Sequence, residues 1–92
     1  MQKRLSCQVF GRVQMVMFRD FVKRAARARG VAGSVKNNID GSVSIVAEGE
    51  EVKLREILAL AHRGPMFARV DRVEEKWSAP LGEFKSFDIL YE

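Results

Sequence analysis

The sequence predicts an α+β fold in which two helices pack on one face of a mainly antiparallel sheet, with elements in the order βαββαβ. Three observations predict it. Short runs alternate apolar with polar residues. Two intervening stretches switch to the i, i+3, i+4 spacing of an amphipathic helix. The segment Asn38-Ile39-Asp40-Gly41 then separates two strand-like runs as a turn signal. The 92 residues contain no linker, low-complexity tract or repeat, and are read as one domain, 1–92.

The first strand spans residues 4 to 10, with Leu5, Cys7 and Val9 on one side and Arg4, Ser6 and Gln8 on the other. Over 18 to 29 the period changes: Phe18, Phe21, Val22 and Ala25 form a helical stripe, and Gly30 follows as the residue that closes it. Residues 33–37 and 42–48 flank the turn signal and form a hairpin, the second arm placing Val43, Ile45 and Ala47 on one face. A second helix fits 51–63. Val52, Leu54, Ile57, Leu58 and Ala61 make its stripe, acids open it, and His62-Arg63 then Gly64-Pro65 close it. A fourth strand covers 68–77, where the unequal parity of Val70 and Val73 predicts a bulge. Phe87, Ile89 and Tyr91 carry a fifth. Two split βαβ units of this kind make the ferredoxin-like arrangement.

Composition excludes several classes of protein. Hydrophobic residues make up 47% and charged residues 30%, which is globular rather than disordered. The formal charge of +4 favours anionic partners. Lys23, Arg24, Arg27 and Arg29 crowd one helix and read as its solvated face. Cys7 is the sole cysteine, so no intrachain disulfide or cysteine-held zinc site can form. No signal-peptide core or membrane-length apolar run is present, and a cytoplasmic setting without membrane attachment is expected. The length and balanced polarity permit a monomer.

The chemistry narrows to two stretches. His62 is the single histidine and sits where a cation-capable side chain suits a helix C-terminus, so neither a transition-metal site nor a catalytic triad is legible. Gly11-Arg12-Val13-Gln14-Met15-Val16-Met17-Phe18-Arg19 leaves a strand and enters a helix, a geometry that points backbone N–H groups at an anion. Arg19 lies in the first helical turn, and its planar fork can take two phosphoryl oxygens at once. Spacing alone reads it equally well as a surface arginine beside a core phenylalanine. Asn37 ends a strand. Its amide can hold a water, but it also reads as an ordinary turn residue.

These stretches closely resemble the two signatures of the acylphosphatase family. Val9, Gly11, Val13, Gln14, Val16, Phe18 and Arg19 match the first, a hydrophobic residue, any residue, then G-x-V-Q-G-V-x-F-R. Gly33, Val35, Lys36, Asn37, Gly41, Val43 and Gly49 match the second, and Gly64, Pro65, Ala68, Val70 and Val73 fit a further family segment. The resemblance implies hydrolysis of acyl phosphates to carboxylate and inorganic phosphate. It implies that Arg19 holds the phosphoryl group with loop amides from Arg12, Val13, Gln14, Met15, Val16, Met17 and Phe18. It implies that Asn37 orients the attacking water, and that no metal or organic cofactor is needed.

Two positions depart from the pattern. Met15 replaces a glycine, which in a phosphate cradle points to positive φ or close approach to the anion. Ser34 replaces the usual aromatic. A loop conformation both residues tolerate, a reshaped loop of lower activity, or a non-catalytic phosphate-binding module on the same fold all remain open on this reading. RNA binding is not expected, because the third strand, SVSIVAEGE, lacks the stacking aromatics of an RNA-recognition sheet.

Overall fold

Alternation decides the sheet. The computed structural model describes residues 1–91. They form β1 (Gln2–Arg12), α1 (Phe18–Ala28), β2 (Ala32–Asn37), β3 (Val43–Glu50), α2 (Glu51–Arg63), β4 (Arg69–Ser78) and β5 (Phe87–Leu90). The strands lie in the order β4-β1-β3-β2-β5. β1 pairs antiparallel with β3 and β4, β2 pairs antiparallel with β3, and β5 adds in parallel to the free edge of β2. The βαββαβ order is present, with β5 extending the sheet.

Leu5, Cys7 and Val9 of β1, Val35 of β2, and Val43, Ile45 and Ala47 of β3 share the face that meets both helices. Phe18, Val22 and Ala26 of α1 and Leu54, Ile57, Leu58 and Ala61 of α2 close the core over them. Phe21 packs at its margin rather than within it. Val52, expected in the α2 stripe, is 68% exposed. Two residues before Leu54 is roughly 200° around the helix, which turns it to solvent.

α1 ends where the sequence predicts a closing glycine. Gly30 N–H donates to Arg27 O at 3.2 Å and Val31 N–H to Ala26 O at 3.0 Å, the paired bonds of a Schellman motif. The bulge expected in the fourth strand is present: Phe10 pairs with Arg72 but Gly11 with Val70, leaving Asp71 as the extra residue. The chains approach closely there, and a Cβ on Gly11 would lie 2.2 Å from Arg69 O. Gly33 is held as tightly in β2, where a Cβ would meet Val46 O at 1.9 Å and φ is +154°. Neither position admits a side chain.

Because β4 and β5 lie on opposite edges, the 79–86 connection must cross from one side of the sheet to the other. Glu48 fastens it. Its buried carboxylate accepts Leu81 N–H at 2.8 Å and Gly82 N–H at 3.0 Å, and pairs with Arg4 at 2.8 Å. Arg4 also pairs with Glu83 and lies over the Phe84 ring. β5 ends at Leu90, opposite Lys36, so Tyr91 stands just past the strand rather than within it as the alternation predicts. No helix among the described residues is long and apolar enough to cross a membrane.

Candidate active site

Residues 13 to 17 join β1 to α1. Val13 is fully buried, and it lines a cavity of about 520 Å³ together with Met15 and Met17. Gln14 reaches the hairpin, and Val16 packs against the core. Met15 and Met17 both adopt left-handed backbone, with φ of 61° and 64°. That conformation costs a non-glycine residue on the order of 1 kcal/mol. The segment therefore has at position 15 the positive φ that a signature glycine would supply, with methionine in its place.

Met17 is also the N-cap of α1, and its side chain makes no capping bond. The first intrahelical bond runs from Phe21 N–H to Met17 O at 3.0 Å. The amides of Phe18, Arg19 and Asp20 thus precede the helical ladder and are free to serve a ligand, at the positive end of the helix dipole. Arg19 lines the same cavity, its guanidinium 5.1 Å from the centroid of the Tyr91 ring. Lys23 joins it one turn on. Asp20 is the one carboxylate among the described residues lining the cavity, and it is engaged by Arg24 at 2.9 Å and Lys23 at 3.6 Å. Arg19 is left facing the cavity.

Strand parity delivers the remaining wall. Gly33, Val35 and Asn37 share the helix-facing side of β2, so the last of them emerges beneath the N-terminus of α1. Asn37 Oδ1 is buried and has no hydrogen-bond partner among the described residues. A buried amide oxygen is rarely left so. Asn37 lines the cavity, while its Oδ1 itself has almost no surface open to it.

A polar bridge fixes the spacing between loop and hairpin. Gln14 Nε2 donates to Asn38 O at 2.7 Å and to Ser42 O at 2.9 Å. Ser42, 1% exposed, donates its hydroxyl to Asp40 at 2.6 Å and accepts from Asn38 Nδ2 and Gln8 Nε2. The Ser42 hydroxyl, then its amide, hold the Asp40 carboxyl below the usual carboxylate range. The cradle and the strand end bearing Asn37 are braced against one another.

Residues 5–89 match the family model for acylphosphatase. The chain belongs to the acylphosphatase family. It is 42% identical over 88 residues to an acylphosphatase from Salinibacter ruber, covering 96% of this chain and 93% of that one. It is 46% identical over 79 residues to one from Thermococcus kodakarensis, covering 86% and 87%. The crystal structure of acylphosphatase from Bacillus subtilis superposes with a TM-score of 0.93 at 38% identity, covering 97% of this chain and 99% of that one. This acylphosphatase hydrolyses acyl phosphates to carboxylate and phosphate.

Of the residues singled out from sequence, one cavity brings together Val13, Met15, Met17, Phe18, Arg19 and Asn37. Arg12 lies apart: it is exposed and ends β1, paired in register with Arg69. The Gln14 side chain serves the hairpin, and the Val16 and Phe18 side chains serve the core. Sequence reasoning passed over Lys23 and Tyr91 as site residues. The first was absorbed into a solvated basic face, the second into a strand. The rest of that basic face is stapling: Arg27 holds Phe87 O and Asp88, and Arg29 holds Glu56. Among the described residues no cluster of His, Cys, Asp or Glu could hold a metal ion.

Proposed function

We propose that Arg19 and the backbone amides of the 13–18 loop bind the phosphoryl group of the acyl phosphate while Asn37 positions the attacking water. The observation that carries this is convergence: Arg19, the unladdered N-terminus of α1 and Asn37, whose buried Oδ1 has no hydrogen-bond partner among the described residues, border one cavity. Phosphoryl transfer spreads charge over three equatorial oxygens and asks chiefly for positioning and electrostatic stabilisation. Amides and a guanidinium fixed in advance supply both.

The Asn37 amide oxygen accepts a hydrogen bond from the water and so turns a lone pair of the water oxygen toward phosphorus. The P–O bond to the carboxylate oxygen breaks as the new P–O bond forms. The carboxylate leaves with the bonding pair and needs no general acid. Asp20 is held by two cations, so the water proton passes to a non-bridging phosphoryl oxygen of the substrate.

The test is phosphate release from acetyl phosphate by wild type and Arg19→Ala. Loss of one such donor lowers turnover by about 100- to 1,000-fold. Equal rates in the two proteins would sink the assignment.

A further inference from the structure

We infer that Met15 and Met17 form an apolar rim that seats the acyl substituent, so that this enzyme favours acyl phosphates carrying an aromatic or medium-chain acyl group. The inference rests on the reading of the cavity as the phosphoryl site and names the other half of the substrate. At about 520 Å³ the cavity is of the size that takes a drug-sized ligand, and a phosphoryl group fills a minor part of it.

The lining combines cationic and apolar groups, with its carboxylate, Asp20, held by Arg24 and Lys23. Arg19 and Lys23 line the cavity as cations, while Met15, Met17, Ile89 and Tyr91 bring apolar surface to it. An acyl phosphate is built the same way, with an anionic head and an apolar tail. Met15 is 98% exposed, Met17 70% and Tyr91 75%, a concentration of large apolar groups around a basic site. Met15 and Met17 are the exposed residues of the loop that line the cavity, whereas Val13 and Val16 pack in or against the core and Gln14 reaches the hairpin. Met15 occupies a left-handed conformation that glycine adopts more readily, so its side chain is present at a conformational disadvantage. Methionine suits such a rim because its unbranched, polarisable chain adapts to varied apolar shapes. Met17 and Asp20 also border a neighbouring groove of about 470 Å³ lined by Phe21, Arg24, Ala25 and Pro65.

Two non-hydrolysable probes separate head from tail: methylphosphonate and phenylphosphonate, titrated against wild type, Met15→Ser, Met17→Ser, the double variant and Met15→Leu. Because both probes share the head group, the ratio of their Kd values reads the apolar rim alone. Wild type is expected to prefer phenylphosphonate by roughly tenfold. The serine variants shrink that preference, the double variant to near unity, and Met15→Leu keeps it. A ratio near one in wild type, or an unchanged ratio in the double variant, overturns the rim. If neither probe competes with inorganic phosphate, the phosphoryl site itself is misplaced and the rim falls with it.

Discussion

The brace between cradle and hairpin offers a quantitative test through Gln14→Ala. The side chain makes two hydrogen bonds, 2.7 Å to Asn38 O and 2.9 Å to Ser42 O, each contributing about 1 kcal/mol net. Neither carbonyl is orphaned by the change. Asn38 O still accepts Gly41 N–H at 3.1 Å, and Ser42 O still accepts Asn38 N–H at 2.8 Å. The desolvation penalty is therefore limited, and the loss is about 1–2 kcal/mol. For a chain of this size that lowers Tm by about 5–15 °C. Activity suffers in a distinct way. With the 13–18 loop binding the phosphoryl group as proposed, the brace sets its distance to Asn37, and kcat is expected to fall more than KM rises when both are measured well below the new Tm. Gln14→Glu is worse than alanine, since a carboxylate then faces two carbonyl oxygens. Thermal denaturation followed by circular dichroism, with phosphate-release kinetics, reads both effects. A Gln14→Ala protein with unchanged Tm and unchanged kcat would refute the brace.

Acid should loosen the 79–86 crossing first. The Leu81 amide, aided by Arg4 and the Gly82 amide, holds the Glu48 carboxyl below its ordinary value of 4.5. Its stabilisation is thus complete above that value and is lost as pH falls through the depressed one. Asp40 and Glu50 shift in the same direction. Glu48→Gln should lower stability at pH 7 and flatten the decline in Tm between pH 5 and pH 3 relative to wild type; parallel curves would contradict this. Cys7 makes a second case: burial, with Glu75 adding, pushes its thiol up to about 12. Native protein at pH 8 should resist alkylation by iodoacetamide, with full labelling after denaturation, and rapid native labelling would show that the β1 core face is open.

What was legible in the sequence follows from how local the signals are. The hairpin, α2 and the bulge were readable because turn residues, helical spacing and a parity break each act over a few positions. The closing of α1 at Gly30 was readable for the same reason. Val52 was misplaced because a stripe counted by apolarity ignores the roughly 200° between it and Leu54. The brace was invisible. Gln14 reaches backbone carbonyls 24 and 28 residues away, and carbonyls leave no mark in a sequence. Lys23 looked like its neighbours Arg24 and Arg27, and like Arg24 it pairs with Asp20, yet of the three it alone lines the cavity that Arg19 and Asn37 line. Tyr91 alternated correctly with Phe87 and Ile89, but β5 ends at Leu90, and the Tyr91 ring meets Arg19 beyond the ladder. Arg19 and Asn37 were candidates from their places at a helix mouth and a strand end, and the family pattern is what gave them roles. Their convergence depends on strand parity and on where α1 begins.

The most direct test of this division of labour is the inhibition constant of inorganic phosphate, measured beside kcat in wild type, Arg19→Ala and Asn37→Ala. If Arg19 binds the phosphoryl group and Asn37 only places water, Arg19→Ala raises the phosphate inhibition constant and lowers kcat. Asn37→Ala lowers kcat and leaves the inhibition constant close to that of wild type. An Asn37→Ala enzyme that loses phosphate affinity as severely as Arg19→Ala, or an Arg19→Ala enzyme that still binds phosphate normally, would contradict the account.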